Sequence, residues 1–168
     1  MKAREILMAL PLLVLLYSCG AGNDKQTNSN TNINEAKAKM DDNKAKGEAF
    51  LAENAKQEGI TVTASGLQYK VITSGSGATP TLSDTVETHY TGKFLDGSEF
   101  DSSVSRGQPL TFPVTGVIAG WTEALQLMQE GDKWQLFIPS DLAYGERGVG
   151  PIPANATLIF DIELISVK

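Results

Sequence analysis

The chain has 168 residues, 41% of them hydrophobic, with 14 basic and 20 acidic side chains and a formal net charge of −6. That is material for one core and little more. An acidic surface without a basic stripe repels phosphate backbones, which excludes nucleic acid as a partner.

The first residues do not belong to the core. Lys2 and Arg4 precede an apolar run from Ile6 to Leu16, which closes on Leu16-Tyr17-Ser18-Cys19-Gly20. A charged start, a short apolar stretch and a small-residue end read as a secretory signal over residues 1–18, and the run is too short to span a bilayer. The single cysteine, Cys19, rules out an internal disulfide. Its place after Leu-x-Ser resembles the lipobox of bacterial lipoproteins, which implies lipidation at Cys19, attachment to a membrane and a cell-envelope location. An ordinary signal peptide with an incidental cysteine is the alternative. Several acyl chains anchor firmly where one binds marginally.

Beyond Cys19, residues 19–33 are almost wholly Gly, Asn, Thr, Ser, Gln and charge, with Ala21 and Ile33 the exceptions, and are expected to form a disordered tether. Residues 34–58 turn to Ala, Lys, Glu and Met without proline, which predicts a helix capped by Asn34 and stopped at Gly59. Its apolar face is thin: Ala36, Met40, Phe50, Leu51 and Ala55, interrupted by Lys44 and Gly47. The helix is either a solvated spacer docking Phe50 and Leu51 or a self-association element.

The folded domain is expected over residues 59–168. Thr61 to Thr63 and Leu67 to Ile72 read as strands, with Leu67, Tyr69 and Val71 alternating against Gln68 and Lys70. From Thr85 to Ser102 runs a hairpin with its turn at Asp96-Gly97, which brings Tyr90 and Phe100 onto one sheet and leaves Asp101 at the edge of an aromatic surface. Pro109 to Pro113 is an extended piece whose prolines argue against a central strand. Trp121, Ala124, Leu125 and Met128 recur at helical spacing, predicting a short amphipathic helix over residues 119–130. Lys133 to Pro139 and Thr157 to Val167 alternate as strands, joined by a long Gly/Pro-rich loop of the length that tends to carry function. The sum is an α+β fold: an antiparallel sheet of about five strands wrapped around one short helix, preceded by the N-terminal helix.

Little here supports covalent chemistry. The lone histidine, His89, has no cysteine partner and reads as a surface strand residue, and no His/Cys/carboxylate cluster has metal spacing. The Gly145 to Gly150 run does not precede a phosphate-binding helix. No cofactor or metal is therefore expected.

Tyr90-Thr91-Gly92, Asp96-Gly97, Phe100-Asp101-Ser102-Ser103, Val117-Ile118-Ala119-Gly120-Trp121, Ala143-Tyr144-Gly145 and Ala156 to Asp161 occur in this order. Together they resemble the FKBP-type peptidyl-prolyl cis/trans isomerases over residues 66–168. The segment before Gly59 and Ser65 to Tyr69 resemble the bacterial macrophage-infectivity-potentiator-like branch, with a short remnant of its helical dimerisation domain, implying a monomer or a weak dimer.

The resemblance implies a catalytic set of Tyr90, Phe100, Asp101, Tyr144 and Phe160. It also implies a substrate-binding set of Arg106, Val117, Ile118, Trp121 and Ile152, with Trp121 as floor and Asp101 and Arg106 as polar edge. The Ile118 amide and the Tyr144 hydroxyl would bind ligand carbonyls. Proline-containing unfolded or exported polypeptides are the implied substrates, and macrolide immunosuppressants would occupy the same pocket. Leu110, Gly116 and Ala154 depart from common family residues at the rim. Two readings stay open: an enzyme that speeds X-Pro isomerisation, and a non-catalytic chaperone or binding module using the same pocket. Asp101 either edges the proline site or holds its rim in shape.

Overall fold

The computed structural model describes residues 24–168, with side chains from residue 32 onward; the expected signal of residues 1–18 and the lipidation site Cys19 lie outside the described residues. The first element is α1 (Asp24–Asn54). It is helical from the first described residue, Asp24, so residues 24–33, expected as tether, belong to the helix and not to a disordered segment. Extending an existing helix adds one hydrogen bond per residue, which lets a segment of modest propensity join one already nucleated. At its other end the chain leaves the helix through three-residue turns, Lys56 to Glu53 and Gln57 to Asn54, ahead of Gly59. Gln68 pins this end: its Nε2 donates to the Leu51 carbonyl and its Oε1 accepts from Asn54 Nδ2, both at 2.9 Å.

The contacts between α1 and the domain seen among the described residues run from Met40 onward. Phe50 packs its ring against Phe137 with centroids 5.9 Å apart. Asn43 Nδ2 donates to the Ala154 carbonyl at 2.9 Å, and Asn155 Nδ2 to the Met40 carbonyl at 3.3 Å. Gly47, which interrupts the apolar stripe, is itself the point of closest approach: a Cβ there would lie 2.2 Å from Thr157 Oγ1. Gly47→Leu is therefore expected to lift α1 from the domain, at a cost of about 1–3 kcal/mol typical of overpacking. Amide exchange over residues 40–54 should rise to that of a solvated helix; unchanged protection would refute the contact's importance.

Seven strands follow, all antiparallel to their neighbours: β1 (Ile60–Val62), β2 (Gln68–Thr73), β3 (Thr85–Lys93), β4 (Glu99–Ser102), β5 (Leu110–Pro113), β6 (Lys133–Ile138) and β7 (Leu158–Val167). Their order is β1-β2-β6-β7-β3-β4, with β5 paired to β3. About five were expected; β1 falls where Thr61 to Thr63 read as a strand, whereas β5, too short to show alternation, is defined by its pairing to β3. β5 lies at the edge beside β3, as its prolines require.

A second helix, α2 (Ala119–Leu125), buries Trp121, Ala124 and Leu125 in one core cluster with Val86, Leu136, Ile138 and Leu158 of the sheet. It ends at Leu125 rather than Glu130. Asp132 accepts from the Gln129 and Gly75 amides at 2.7 and 2.6 Å, and Gly131 N–H donates to the Leu164 carbonyl at 2.8 Å. The bonds to Gly75 and Leu164, distant in the chain, draw the segment off the helix while Met128 stays fully buried. Residues 139–157 form the long loop, shaped by two 3-10 turns and a bridge between Val149 and Ile152.

Candidate functional site

The site is built where the hairpin, β7 and α2 converge. β3 alternates strictly between covered and open faces, so Val86, Thr88, Tyr90 and Gly92 point inward. The turn holds Phe94 N–H to the Ser98 carbonyl at 2.9 Å and returns Phe100 over Gly92. β7 brings Phe160 opposite Gly92 in register, and α2 raises Trp121 from below.

The rings meet edge to face, as their quadrupoles favour. Trp121 stands at 5.2 Å from both Tyr90 and Phe160, with interplanar angles of 82° and 84°. Phe100 meets Phe160 at 5.6 Å and 89°. Rings set perpendicular cannot close over one another, and Gly92 adds no side chain between them. A hollow of about 360 Å³ remains, lined by Tyr90, Phe100, Asp101, Val117, Ile118 and Phe160 over a Trp121 floor, with Tyr144 across the mouth. Trp121 and Phe160 are 5% and 4% exposed, whereas Tyr144 is 37% exposed.

The polar edge is one connected network. Tyr90 OH donates to Asp101 Oδ2 at 2.6 Å, Arg106 Nη1 donates to Asp101 Oδ1, and Arg106 Nη2 donates to Tyr90 OH at 2.9 Å. The guanidinium carbon also lies 5.7 Å from the Tyr90 ring centre. Partial burial pushes the Asp101 carboxyl upward, but the bonds from Tyr90 and Arg106 outweigh it and hold it below the ordinary carboxylate range. Burial, reinforced by the Asp101 carboxylate, raises the Tyr90 phenol, and burial with the same negative charge raises Tyr144. At neutral pH the edge therefore carries a carboxylate, a guanidinium and two neutral phenols.

Two groups are placed to meet carbonyl oxygens. Ile118 caps α2, its carbonyl accepting from Trp121 and Thr122, while its own amide has no partner among the described residues. The Tyr144 hydroxyl likewise has none among them.

Eight of the ten pocket residues expected from the sequence line this hollow. Arg106 stands behind it, reaching the site through Asp101 and Tyr90. Ile152 is 6% exposed within the core cluster, where its bridge to Val149 closes the loop, and does not line the hollow. Leu110 and Gly116, expected at the rim, line it as well, and Phe112 does so without having been expected there. Phe112 is brought in by β5, and its ring lies 5.6 Å from Trp121. Ser103 was also missed as a positioning residue: fully buried, its Oγ accepts from Tyr90 N–H at 2.8 Å and its own N–H donates to the Tyr90 carbonyl at 3.0 Å. His89 points to the other face, Nδ1 at 3.0 Å from Ser103 Oγ. Among the described residues, no group of three or more His, Cys, Asp or Glu is arranged to hold a metal ion, and no helix is long and apolar enough to cross a membrane.

Comparison with known proteins matches residues 77–165 to the family model described as FKBP-type peptidyl-prolyl cis-trans isomerase, and residues 20–71 to the domain amino terminal to it. The chain is 55% identical over 138 residues to the FKBP-type peptidyl-prolyl cis-trans isomerase FkpA of Aeromonas hydrophila, covering 81% of this chain and 52% of that protein. It is 58% identical over 135 residues to the outer membrane protein MIP of Legionella longbeachae, covering 80% and 58%. Identity to the FKBP-type 22 kDa peptidyl-prolyl cis-trans isomerase of Escherichia coli is 57% over 124 residues, covering 73% and 60%. The chain thus spans little more than half the length of the curated relatives it matches. The crystal structure of FkpA from Escherichia coli superposes with a TM-score of 0.78 at 40% identity, covering 88% of this chain and 74% of that one.

Proposed function

The chain belongs to the FKBP-type peptidyl-prolyl cis-trans isomerase family, and from that membership we propose that it catalyses cis/trans isomerisation of X-Pro bonds in unfolded, exported polypeptides. The observation that carries this reading is the open hollow of perpendicular rings, bounded by a fully bonded carboxylate and presenting no activated nucleophile. Such a site suits a reaction in which no covalent bond forms or breaks.

Rotation about a peptide bond meets a barrier of about 18–20 kcal/mol because twisting breaks amide resonance. The planar amide is more dipolar than the twisted one, so transfer from water to an apolar hollow disfavours the planar state more. The proline ring sits on Trp121 between Tyr90 and Phe160. The Ile118 amide and the Tyr144 hydroxyl bind carbonyls on the substrate chain and hold it while the bond turns. Asp101, already bonded twice, is a positioning group for the Tyr90 wall and not an acid or base. Macrolide immunosuppressants are expected to compete for the same hollow, with the substituted rim at Leu110 and Gly116 altering affinity. Lipidation at Cys19 would place the domain at the cell envelope, as the name of the Legionella relative suggests for that protein. In that compartment a catalyst shortens steps that otherwise take tens of seconds or more.

The test is relaxation of a proline tetrapeptide from cis to trans with the purified chain; no acceleration at micromolar protein removes the reading. Asp101→Asn is expected to lower kcat/KM about tenfold, equivalent to ~1.4 kcal/mol, with an unfolding midpoint close to wild type because the Arg106 pair is largely solvated. A variant as active as wild type would remove the positioning role. The Asp101 pKa is lowered in the folded state, so its contribution is complete above the ordinary carboxylate pKa of about 4 and lost as pH falls through the folded value. Wild-type activity should accordingly be flat from about pH 8 to 5 and fall only at more acid pH, an acid limb that Asp101→Asn should lack.

A further inference from the structure

A second hollow, of about 450 Å³, lies where α1 meets the domain. Phe94 and Leu95 of the β3–β4 turn and Pro151, Pro153 and Ala156 of the long loop supply its apolar walls, and α1 closes it with Asn43 and Lys46. It shares none of its lining with the ring pocket, yet the two are adjacent. The Phe94 ring packs at 4.9 Å against Phe100, a wall of the pocket, so one pair of rings separates the two spaces.

The groove is held open by rigid parts. Proline fixes its own φ and donates no backbone hydrogen bond, so two of its walls are stiff apolar surfaces. The α1 side is fastened by the Asn43 bond to Ala154 and by the Gly47 contact with Thr157. The rim charges are already used within the protein: Lys46 pairs with Asp42 at 2.7 Å, and Asp96 accepts from the Ser98 amide and hydroxyl at 2.9 and 2.5 Å. Asp96 has no cationic partner among the described residues, but its carboxylate is held at the turn by Ser98, and the walls between the rim charges are apolar. An apolar segment fits what remains.

We propose that this groove is a second subsite for the polypeptide whose proline occupies the ring pocket, taking an apolar side chain further along the same chain. The inference rests on the isomerase reading above. Continuity across the Phe94–Phe100 pair identifies the occupant. An extended chain covers about 3.3–3.6 Å per residue, so a segment running past the Phe94–Phe100 pair reaches from one hollow to the other within a few residues. The two sites then act as linked weak sites, the second engaged at high effective concentration once the first is filled. Short peptides use only the ring pocket, whereas unfolded chains use both. The role of α1 is to complete the second site.

The experiment compares a proline tetrapeptide with a peptide of about twelve residues carrying the same core flanked by Leu and Phe, on the full purified chain. Both kcat/KM and binding by fluorescence anisotropy are read. Two variants are tested: Leu95→Asp, which puts a charge on the groove wall, and Lys46→Trp, which fills the groove from α1. Wild type should favour the long peptide about tenfold in both readouts. Both variants should lose that preference while leaving the tetrapeptide rate within about twofold. A wild type with no preference in anisotropy, or variants that keep it, overturns the subsite. A wild type that turns over neither peptide but binds the long one through Leu95 and Lys46 overturns the isomerase reading and leaves the groove standing.

Discussion

Phe160→Ala is expected to cost about 3–5 kcal/mol of stability, the range for emptying a buried aromatic position, out of a typical total of 5–15 kcal/mol. Phe160 sits near the start of β7, paired to Leu136 on one side and Gly92 on the other, with its ring against Tyr90, Phe100 and Trp121. Removing it takes a support from three rings at once, so the pocket and the core fail together. Because lost activity in this variant could reflect lost folding, Phe160→Leu is the informative partner. It keeps most of the buried volume and should cost about 1–2 kcal/mol, while the perpendicular wall is lost and kcat/KM should fall at least tenfold. Urea unfolding followed by tryptophan fluorescence, with the tetrapeptide rate on the folded variant, separates the two effects. Phe160→Leu with wild-type activity would remove Phe160 from the catalytic set.

The second large effect is expected at Gly92, for the opposite reason. A Cβ built there lies 2.6 Å from Phe100 Cζ and 2.8 Å from Phe160 Cε1. Both rings are in the wall, so even Gly92→Ala must relieve a clash with each of them. Overpacking of this kind costs about 1–3 kcal/mol, and the displaced ring narrows the hollow, so activity should fall more than stability would suggest. Gly97→Ala in the same hairpin is the control. Gly97 has φ 84° and open space around it, so its substitution strains the turn by about 1–2 kcal/mol without touching the pocket. Equal tetrapeptide rates for the two variants would show that ring placement does not limit the reaction.

The parts of the site that were legible in the sequence are those whose signals are local. An Asp-Gly turn between alternating strands places Tyr90 and Phe100 on one surface, and alternation in β6 and β7 assigns Leu136, Phe160 and Ile162 to the inner face. Recurrence of Trp121, Ala124 and Leu125 at helical spacing locates α2. Motif resemblance supplied the roles of Asp101, Ile118 and Tyr144, which no periodicity could have shown. Phe112 escaped because β5 has only four residues, and its direction depends on pairing with β3. Ile152 was grouped with the pocket because the loop's motif carries it there, yet bridging to Val149 turns it into the core.

By itself, the sequence determined the hairpin, the inward faces of the long strands, the position of the short helix and the aromatic character of the site, because each follows from contacts a few residues apart. Only the tertiary structure decided where α1 and α2 end, that Gly47 is a contact rather than an interruption, that Arg106 reaches the pocket through Asp101 and Tyr90, and that α1 and the long loop enclose a second groove. Each of these depends on atoms distant in the chain meeting across the fold: Gln68 with Leu51, Asp132 with Gly75, Thr157 with Gly47. Local pattern cannot carry such information, since the stabilising partner is chosen by packing and not by neighbourhood in the sequence.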